Sequence, residues 1–480
     1  MDFGIFQVDF TVLAQFFLRD AGSVIFDVFV IVGWAVISWY FLFMITHLFI
    51  EYRQELYVHP WKWVLLAIDI PAINVQTPKA VEQMFAHIAG AYNQPNIAEM
   101  FWQGYKQRWF SFEIISIEGY IQFLVRSEEK FRDLIEAAVY AQYPEAEITE
   151  VEDYTESVPS KFPNNEYDMW AADFTLTENQ AYPIRTYRDF EHAISKDTVL
   201  KDPMGTFLES FSRLGPGEQM WFQIIVEPTS NHWKEEAIET LKKISEGGAL
   251  GHGHGHGGFS KLDGVYAATW SSLEKFGDAV FNREAGEGEE KKEEKKELAP
   301  GAGALLEGIQ TKILKLGLKT KMRGVYIARK EVFKPERGVN ALMGAINQFN
   351  IPSANSLAPT YKATASYLFK ARRTNERKTL LMKAYKKRKM KAGKNPFVLN
   401  IEELATIWHF PMSHVKTPLV QKASGKRAEP PSGLPVENLL GASNLSSGST
   451  GDILNEETPK KRKLVTDSGH ALPDGDVKFG

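Results

Sequence analysis

The chain has 480 residues, enough for about two to four domains, and its 44% hydrophobic and 24% charged residues are typical of a globular protein. Its 56 basic and 60 acidic side chains nearly balance, and the lack of cysteine excludes disulfides, Cys-ligated metals and a thiol nucleophile. The negative mean hydropathy excludes a multi-span membrane protein but is compatible with one span.

An apolar segment near the N-terminus predicts one transmembrane helix. It runs from Val28 to Ile50, and His47 is the one Asp, Glu, Lys, Arg or His side chain within it. At about 1.5 Å per residue the segment reaches about 34 Å, which exceeds a hydrocarbon core of about 30 Å. We therefore assign residues 1–22 to an apolar, interfacial segment and residues 23–52 to a single-pass helix. The alternatives fit less well, because a buried core helix is usually shorter and a cleaved signal peptide has a basic start and a small-residue cleavage site.

The basic residues around this span predict its orientation. Arg53 and Lys62 follow it closely, whereas Arg19 is the one basic residue before it. Positive charge is retained preferentially on the cytoplasmic side of a membrane. We therefore expect the C-terminal body to be cytoplasmic.

The segment after the span alternates strand-like and helix-like patterns in the order β-α-β-β-α-β. Helix starts are indicated by Thr77-Pro78 and by Ser127-Glu128-Glu129. Apolar runs predict four strands, at 61–70, 109–118, 120–126 and 146–154. This order is typical of a ferredoxin-like fold, which we predict over residues 60–155.

A second set with the same order is predicted over residues 165–369. Asp202-Pro203 begins one helix and Glu336 another. Strands are predicted at 168–178, 218–228, 323–333 and 355–363. We place an insertion, residues 229–321, at the middle hairpin, because it contains low-complexity stretches too rich in glycine or charge to pack. The fold class predicted is α+β: one transmembrane helix followed by two ferredoxin-like (βαββαβ) units, the second interrupted.

A strongly basic segment follows the second unit. Residues 370–421 are assigned to a basic helix with a C-terminal packing segment, and residues 422–480 to a disordered tail. Residues 370–394 contain twelve Lys or Arg and one acid, Glu376. Leu381, Ala384, Tyr385 and Arg388 are spaced i, i+3, i+4 and i+7, which predicts a helix with one apolar seam.

The remaining faces of this helix are predicted to contact anions, either nucleic-acid phosphates or anionic lipid. The residues assigned to that surface are Lys383, Lys386, Lys387, Arg388 and Lys389. The alternative is a solvated face that only balances an acidic stretch, since residues 128–168 contain twelve acids and three bases.

Other candidate chemistry is weaker. His252, His254 and His256 alternate with glycine and could bind a borderline metal, but glycine supplies no groups to orient the imidazole rings, so a flexible loop is the favoured interpretation. The phosphate-binding motif G-x-x-x-x-G-K-[ST] is absent from the sequence, and no G-x-S-x-G or H-E-x-x-H occurs. We therefore assign no catalytic, cofactor-binding or metal-binding residues and expect a protein that is not an enzyme.

Three segments together carry a family resemblance: PGEQMWFQIIVEP (216–228), the run from Ile117 to Tyr154, and the run from Phe397 to Pro435. They resemble the membrane-anchored region that precedes the motor in bacterial type IV secretion, conjugative DNA-transfer ATPases. Stand-alone versions of that region occur as membrane proteins in candidate-phylum bacteria. In the larger relatives a P-loop ATPase follows a segment like AEPPSGLP (428–435), whereas here a low-complexity tail follows, so no ATP-binding residue is transferred.

The resemblance implies a non-enzymatic, membrane-tethered platform or accessory subunit of a type IV secretion-like apparatus for DNA or protein translocation. The expected partners are membrane lipid, a separate P-loop motor ATPase, DNA and a second copy of the chain, with the body on the cytoplasmic side of a bacterial inner membrane. The alternatives are a structural scaffold that binds anionic lipid and, less favoured, a metal-binding protein that uses the Gly/His loop.

Overall fold

The computed structural model describes residues 20–71, 74–190, 202–245, 302–366 and 368–412. Residues 1–19 of the predicted interfacial segment, the three histidines and the predicted disordered tail lie outside these ranges. The described residues fall into two compact units, which we treat separately. Unit 1 contains residues 20–61 and 93–107, and unit 2 contains the others.

Within the described ranges the chain forms nine α-helices and nine β-strands. The helices are α1 Ala21–Val58, α2 Pro78–Ala89, α3 Arg132–Tyr140, α4 Pro203–Ser212, α5 His232–Ser245, α6 Ala302–Leu314, α7 Pro335–Asn347, α8 Lys370–Lys386 and α9 Ile401–Ile407. The strands are β1 Trp63–Asp69, β2 Phe110–Ile117, β3 Tyr120–Glu128, β4 Glu147–Glu150, β5 Tyr167–Leu176, β6 Glu218–Pro228, β7 Gly317–Arg329, β8 Leu357–Lys362 and β9 Phe397–Asn400. The predicted mixture of helix and sheet is confirmed.

Unit 1 is built on α1. This helix has 38 residues and begins after Asp20, whose carboxylate accepts a hydrogen bond from the Gly22 amide at 3.2 Å. Its segment Val28–Val58 is long and apolar enough to cross a membrane, and its side chains are not buried within the protein. The expectation of one N-terminal apolar helix of membrane-spanning length is confirmed.

Unit 2 is built on one antiparallel sheet that contains all nine described strands. The strand order is β4-β1-β3-β2-β6-β7-β5-β8, and β9 pairs with β7. The strands β2 and β6 join the two halves of the sheet through eight consecutive register pairs, from Phe110–Val226 to Ile117–Gln219. Neither of these strands is therefore a free edge.

The alternation of side chains along the strands gives the sheet two buried faces. On one face Leu66 and Phe112 belong to the main core, together with apolar side chains of α2, α3, α4, α7 and α9. On the other face Leu65 and Trp221 pack against Leu381, Met382 and Tyr385, which α8 contributes, since successive side chains of a strand point to opposite faces.

The strand β7 is longer at its start than the sequence indicates. It was expected at 323–333, but it begins at Gly317 and therefore includes residues that the sequence places in the insertion. Lys319 and Lys321 interrupt the apolar pattern, and the strand tolerates them because Glu227 and Asp173 neutralise them, at 3.4 and 2.7 Å.

The C-terminal segment completes both the sheet and the main core. The strand β9 pairs with residues Gly317–Thr320 of β7 in antiparallel orientation. Asn400 then caps α9 through a reciprocal capping box with Glu403. Trp408 is fully buried and contacts Phe112 and Phe123, with ring centroids 4.9 and 5.7 Å away.

Candidate functional site: a basic groove beside helix α8

The helix α8 forms where the predicted apolar seam meets the sheet. Leu381, Ala384 and Tyr385 are buried, and the Tyr385 ring lies 5.3 Å from that of Trp221. On the exposed side, Arg372 and Glu376 form an i, i+4 ion pair at 2.9 Å. The seam therefore fixes which basic side chains of the helix face solvent.

A groove of about 880 Å³ runs beside the exposed side of α8. We call it the basic groove. Its charged lining consists of Arg372, Glu376, Lys383, Lys387 and Lys389. Phe162, Pro163 and Leu380 form part of its apolar wall. Within the described part of the chain, no ion pair joins the ammonium groups of Lys383, Lys387 and Lys389 to a carboxylate, so these groups are available to an anion.

The five predicted anion-contacting residues separate into three kinds. Lys383, Lys387 and Lys389 are exposed and line the basic groove. Lys386 is half-buried, and its ammonium group donates a hydrogen bond to the Val158 carbonyl at 2.6 Å. Arg388 is fully buried, so it is removed from the predicted set: it lies just after the C-cap residue Lys387 with φ +48°, and this turn of the backbone directs it toward the protein.

The buried Arg388 anchors the end of α8 to the sheet. Its guanidinium donates to both carboxylate oxygens of Glu113, at 3.0 and 3.1 Å, and also binds Asp153. The Tyr154 hydroxyl donates to Glu113 at 2.8 Å and lies 2.8 Å from the Tyr385 hydroxyl. Such a bidentate pair fixes the orientation of the arginine as well as its position.

The charges of this network are mutually stabilised. Burial alone would raise the pKa of Glu113, but the charge and hydrogen bonds of Arg388 outweigh it and hold that pKa below its usual range. Burial would likewise raise the pKa of Asp153, but Arg388 and a hydrogen bond from Thr155 outweigh it and lower that pKa. The two carboxylates raise the pKa of Arg388 although burial opposes this. All three groups are therefore ionised at neutral pH.

A second buried cluster holds the loop that follows α8. Asp173 binds Arg323 at 2.9 Å and Lys321 at 2.7 Å. The Arg323 guanidinium donates to the carbonyls of Lys389 and Ala392, and the Lys321 ammonium donates to the carbonyl of Lys394. Two clusters on the sheet therefore position the backbone that carries Lys387 and Lys389.

Sequence reasoning missed these positioning residues, although a local signal exists for the acidic ones. Glu113 interrupts the apolar strand FSFEIISI, and Asp173 interrupts MWAADFTL. A carboxylate in the middle of a buried strand requires a cationic partner. No spacing identifies the partner, because Arg388 lies 275 residues after Glu113.

The described residues contain no group of three or more His, Asp or Glu side chains arranged to hold a metal ion. His252, His254 and His256 are outside those residues, so the metal-binding alternative stays a prediction.

These features define a class of protein: an α+β domain with one antiparallel sheet that follows a helix of membrane-spanning length. The chain belongs to the family described as Domain of unknown function (DUF8128), whose model matches residues 73–423 and so includes most of unit 2 and the whole basic groove. No curated protein matches the sequence.

Proposed function

We propose that this protein is a non-enzymatic, membrane-tethered platform of a type IV secretion-like translocation apparatus, and that the basic groove binds the phosphate backbone of nucleic acid. The observation that carries the proposal is the trio Lys383, Lys387 and Lys389, exposed along one groove without carboxylate partners among the described residues. Lysine side chains along a groove are suited to follow a phosphate backbone.

The groove also has features that suit a single strand. Leu380 and Pro163 provide exposed apolar surface in the same groove as the cationic groups, and Arg372 adds a further cationic side chain to its lining. Proteins that bind single strands without sequence preference combine such surface with a positively charged channel. The buried Arg388 and Arg323 support the proposal, because they hold the backbone of the groove in place. A backbone that is already ordered loses less conformational entropy when a ligand binds, which favours affinity.

The binding experiment uses the full chain in detergent micelles and a fluorescently labelled, single-stranded 20-mer, with anisotropy measured at several salt concentrations. We expect binding that weakens with salt. The triple variant Lys383→Gln, Lys387→Gln and Lys389→Gln should reduce affinity about tenfold, and the slope of log affinity against log salt should fall by about 2, since each phosphate contact on a single strand contributes about 0.7.

The matched control removes the same charge elsewhere on unit 2, at Lys242, Lys243 and Lys330, which are exposed and do not line the groove. We expect this Gln triple to bind like the parent. Equal loss in both triples, or parent binding that does not respond to salt, would contradict the groove assignment.

A second experiment distinguishes nucleic-acid binding from the alternative of a scaffold that binds anionic lipid. The protein in lipid nanodiscs is treated with an acetylating reagent, and mass spectrometry measures the acetylation of each lysine. If the groove binds nucleic acid, added single-stranded DNA protects Lys383, Lys387 and Lys389 in discs of neutral phosphatidylcholine. If the groove lies on anionic lipid, phosphatidylglycerol in the disc protects the same lysines without DNA.

The finer structural assignments belong to the same proposal. The strand orders β4-β1-β3-β2 and β8-β5-β7-β6 support two ferredoxin-like halves related by internal duplication. The apolar α1 supports single-pass anchoring. The cytoplasmic body is proposed from Arg53 and Lys62 after the span, and the bacterial inner membrane from the family resemblance. A separate motor ATPase and a second copy of the chain remain the proposed protein partners.

A further inference from the structure

Unit 1 contains an apolar surface that α1 does not bury. The segment 93–107 includes a short π-helix, Glu99–Gln103, and packs beside the C-terminal part of α1. Its side chains Ile97, Met100 and Trp102 remain 85%, 51% and 64% exposed. Three large apolar side chains within six residues form a surface that water solvates poorly.

The contacts with α1 place this surface at a defined level of the helix. The Phe49 ring lies 5.3 Å from Phe101 and 6.4 Å from Trp102. Phe49 is next to the end of the apolar run, which closes at Ile50. Glu51 begins the polar part of the helix, and Arg53 lies one turn after Phe49.

The segment is held closely against that turn. Gly104 has φ +69°, and a Cβ at this position would lie 2.3 Å from the Arg53 backbone carbon, so a side chain would separate the two elements. The Tyr105 ring lies 5.5 Å from that of Tyr57, two turns after Phe49. The apolar surface is therefore fixed beside the boundary between the apolar and polar parts of α1.

Several backbone N–H and C=O groups of the segment form hydrogen bonds within the protein, as a surrounding that is poor in water requires. The Asn96 side chain accepts from the Glu99 amide at 2.8 Å, and the Glu99 carboxylate accepts from the Asn96 amide at 3.0 Å. The Arg53 guanidinium donates to the Trp102 carbonyl, and the Tyr105 amide donates to the Glu99 carbonyl. Unsatisfied backbone groups are costly near lipid, and these bonds satisfy them internally.

We infer that the segment 96–103 is a second membrane contact, an interfacial anchor in which Ile97, Met100 and Trp102 enter the headgroup region beside the end of α1. Lipid is the occupant because the surface continues the apolar face of a helix that itself needs lipid around it. Tryptophan is the residue type that prefers this level of the bilayer. The inference rests on the proposed membrane anchoring of α1.

The absence of cysteine allows a direct test on the full chain, because single cysteines can be introduced and spin-labelled. The labelled variants are Ile97→Cys and Trp102→Cys, with Val36→Cys as the control within the apolar helix and Lys243→Cys as the control on unit 2. After reconstitution into phosphatidylcholine vesicles, electron paramagnetic resonance measures collisions of each label with oxygen, which concentrates in lipid, and with a water-soluble nickel chelate.

We expect Ile97→Cys and Trp102→Cys to report a shallow lipid depth, Val36→Cys a deep one and Lys243→Cys water. Labels at 97 and 102 that match Lys243→Cys, or that are shielded from both reagents by protein, would overturn the interfacial anchor while Val36→Cys still reports lipid. A Val36→Cys label in water would instead overturn the anchoring of α1.

Discussion

Arg388 differs from the other basic residues around it in its burial and in its role. Its neighbours Lys387 and Lys389 are exposed, whereas Arg388 is fully buried and has φ +48°. The change of backbone direction turns its side chain onto Glu113 and Asp153. One residue of the run is thus structural, and the residues on either side of it provide the charge of the groove.

Replacing Arg388 should be costly. Arg388→Met leaves the Glu113 carboxylate buried without its cationic partner, and breaking a buried pair in this way typically costs about 3–5 kcal/mol. We expect the free energy of unfolding to fall by that amount in denaturant titrations followed by tryptophan fluorescence. Lys387→Met is the control and should change it by less than about 0.5 kcal/mol, as is usual at exposed positions. Similar stabilities of the two variants would refute the structural role.

The sequence predicts the apolar seam of α8 but not the direction of Arg388. Arg388 is seven residues after Leu381, but α8 ends at Lys386, so the inward direction comes from the backbone turn and not from helical spacing. The charge of Arg388 and its place in a basic run indicate an anion-contacting role, which its burial contradicts. Its partners could not be predicted, because only the folded sheet brings Glu113, on β2, to the end of α8.

At the scale of elements, the loop after α8 depends on one glycine. Gly393 has φ +78°, and a Cβ there would lie 1.9 Å from the Asp173 carboxylate oxygen. The same carboxylate accepts a hydrogen bond from the Lys394 amide at 3.2 Å. The close approach of loop and carboxylate therefore requires a residue without a side chain.

Gly393→Ala should consequently disturb both stability and binding. We expect a loss of about 1–3 kcal/mol in the free energy of unfolding, the usual cost of strained backbone, together with weaker binding of the single-stranded 20-mer. Gly344→Ala is the matched control, because it lies within α7 with no atom near the added Cβ, and it should stabilise by about 0.5–1 kcal/mol. Unchanged stability and binding in Gly393→Ala would show that the loop does not shape the groove.

The order of elements was more predictable than their limits. The sequence located β6 at 218–228 and the start of α4 at Asp202-Pro203, because an uninterrupted apolar run and an N-cap followed by proline are local signals. It placed the start of β7 too late, because Lys319 and Lys321 break the apolar pattern by which a strand is recognised. Their neutralisation by Glu227 and Asp173 depends on the folded sheet and cannot be predicted from the local sequence.

At the largest scale, unit 2 is stabilised by buried and partly buried carboxylates that must be ionised. Desolvation raises the pKa values of Glu113, Asp153 and Asp202, but Arg388 lowers the first two and His409 lowers the third, so all three lie below their usual range. The unfolded chain therefore binds more protons in this range, and stability falls as the pH falls.

This linkage predicts acid unfolding. The contribution of the three carboxylates is complete above about pH 5 and is lost progressively as the pH falls below the unfolded values of about 4, toward the lower folded values. Circular dichroism during acid titration should show unfolding in that range. In Glu113→Gln, which removes one of the three titrations, stability should vary less steeply with pH; an identical pH dependence would contradict the assignment.

The pairing of β2 with β6 was beyond the reach of the sequence. Each strand is recognisable from its own sequence. No local sequence signal indicates that these two strands pair with each other over eight register pairs. The groove shares this dependence, since Glu113 belongs to β2 and Arg323 to β7.

The packing of α5 against α6 suggests a position in the chain where an inserted domain would be tolerated. Ile244, near the end of α5, and Ile309, in α6, belong to one apolar cluster, so the two helices on either side of residues 246–301 pack together. Both helices are outside the sheet, and neither lines the basic groove. We therefore expect a fluorescent protein or an affinity epitope encoded between Ser245 and Ala302 to be tolerated, which offers a way to follow the intact protein in cells without altering either terminus.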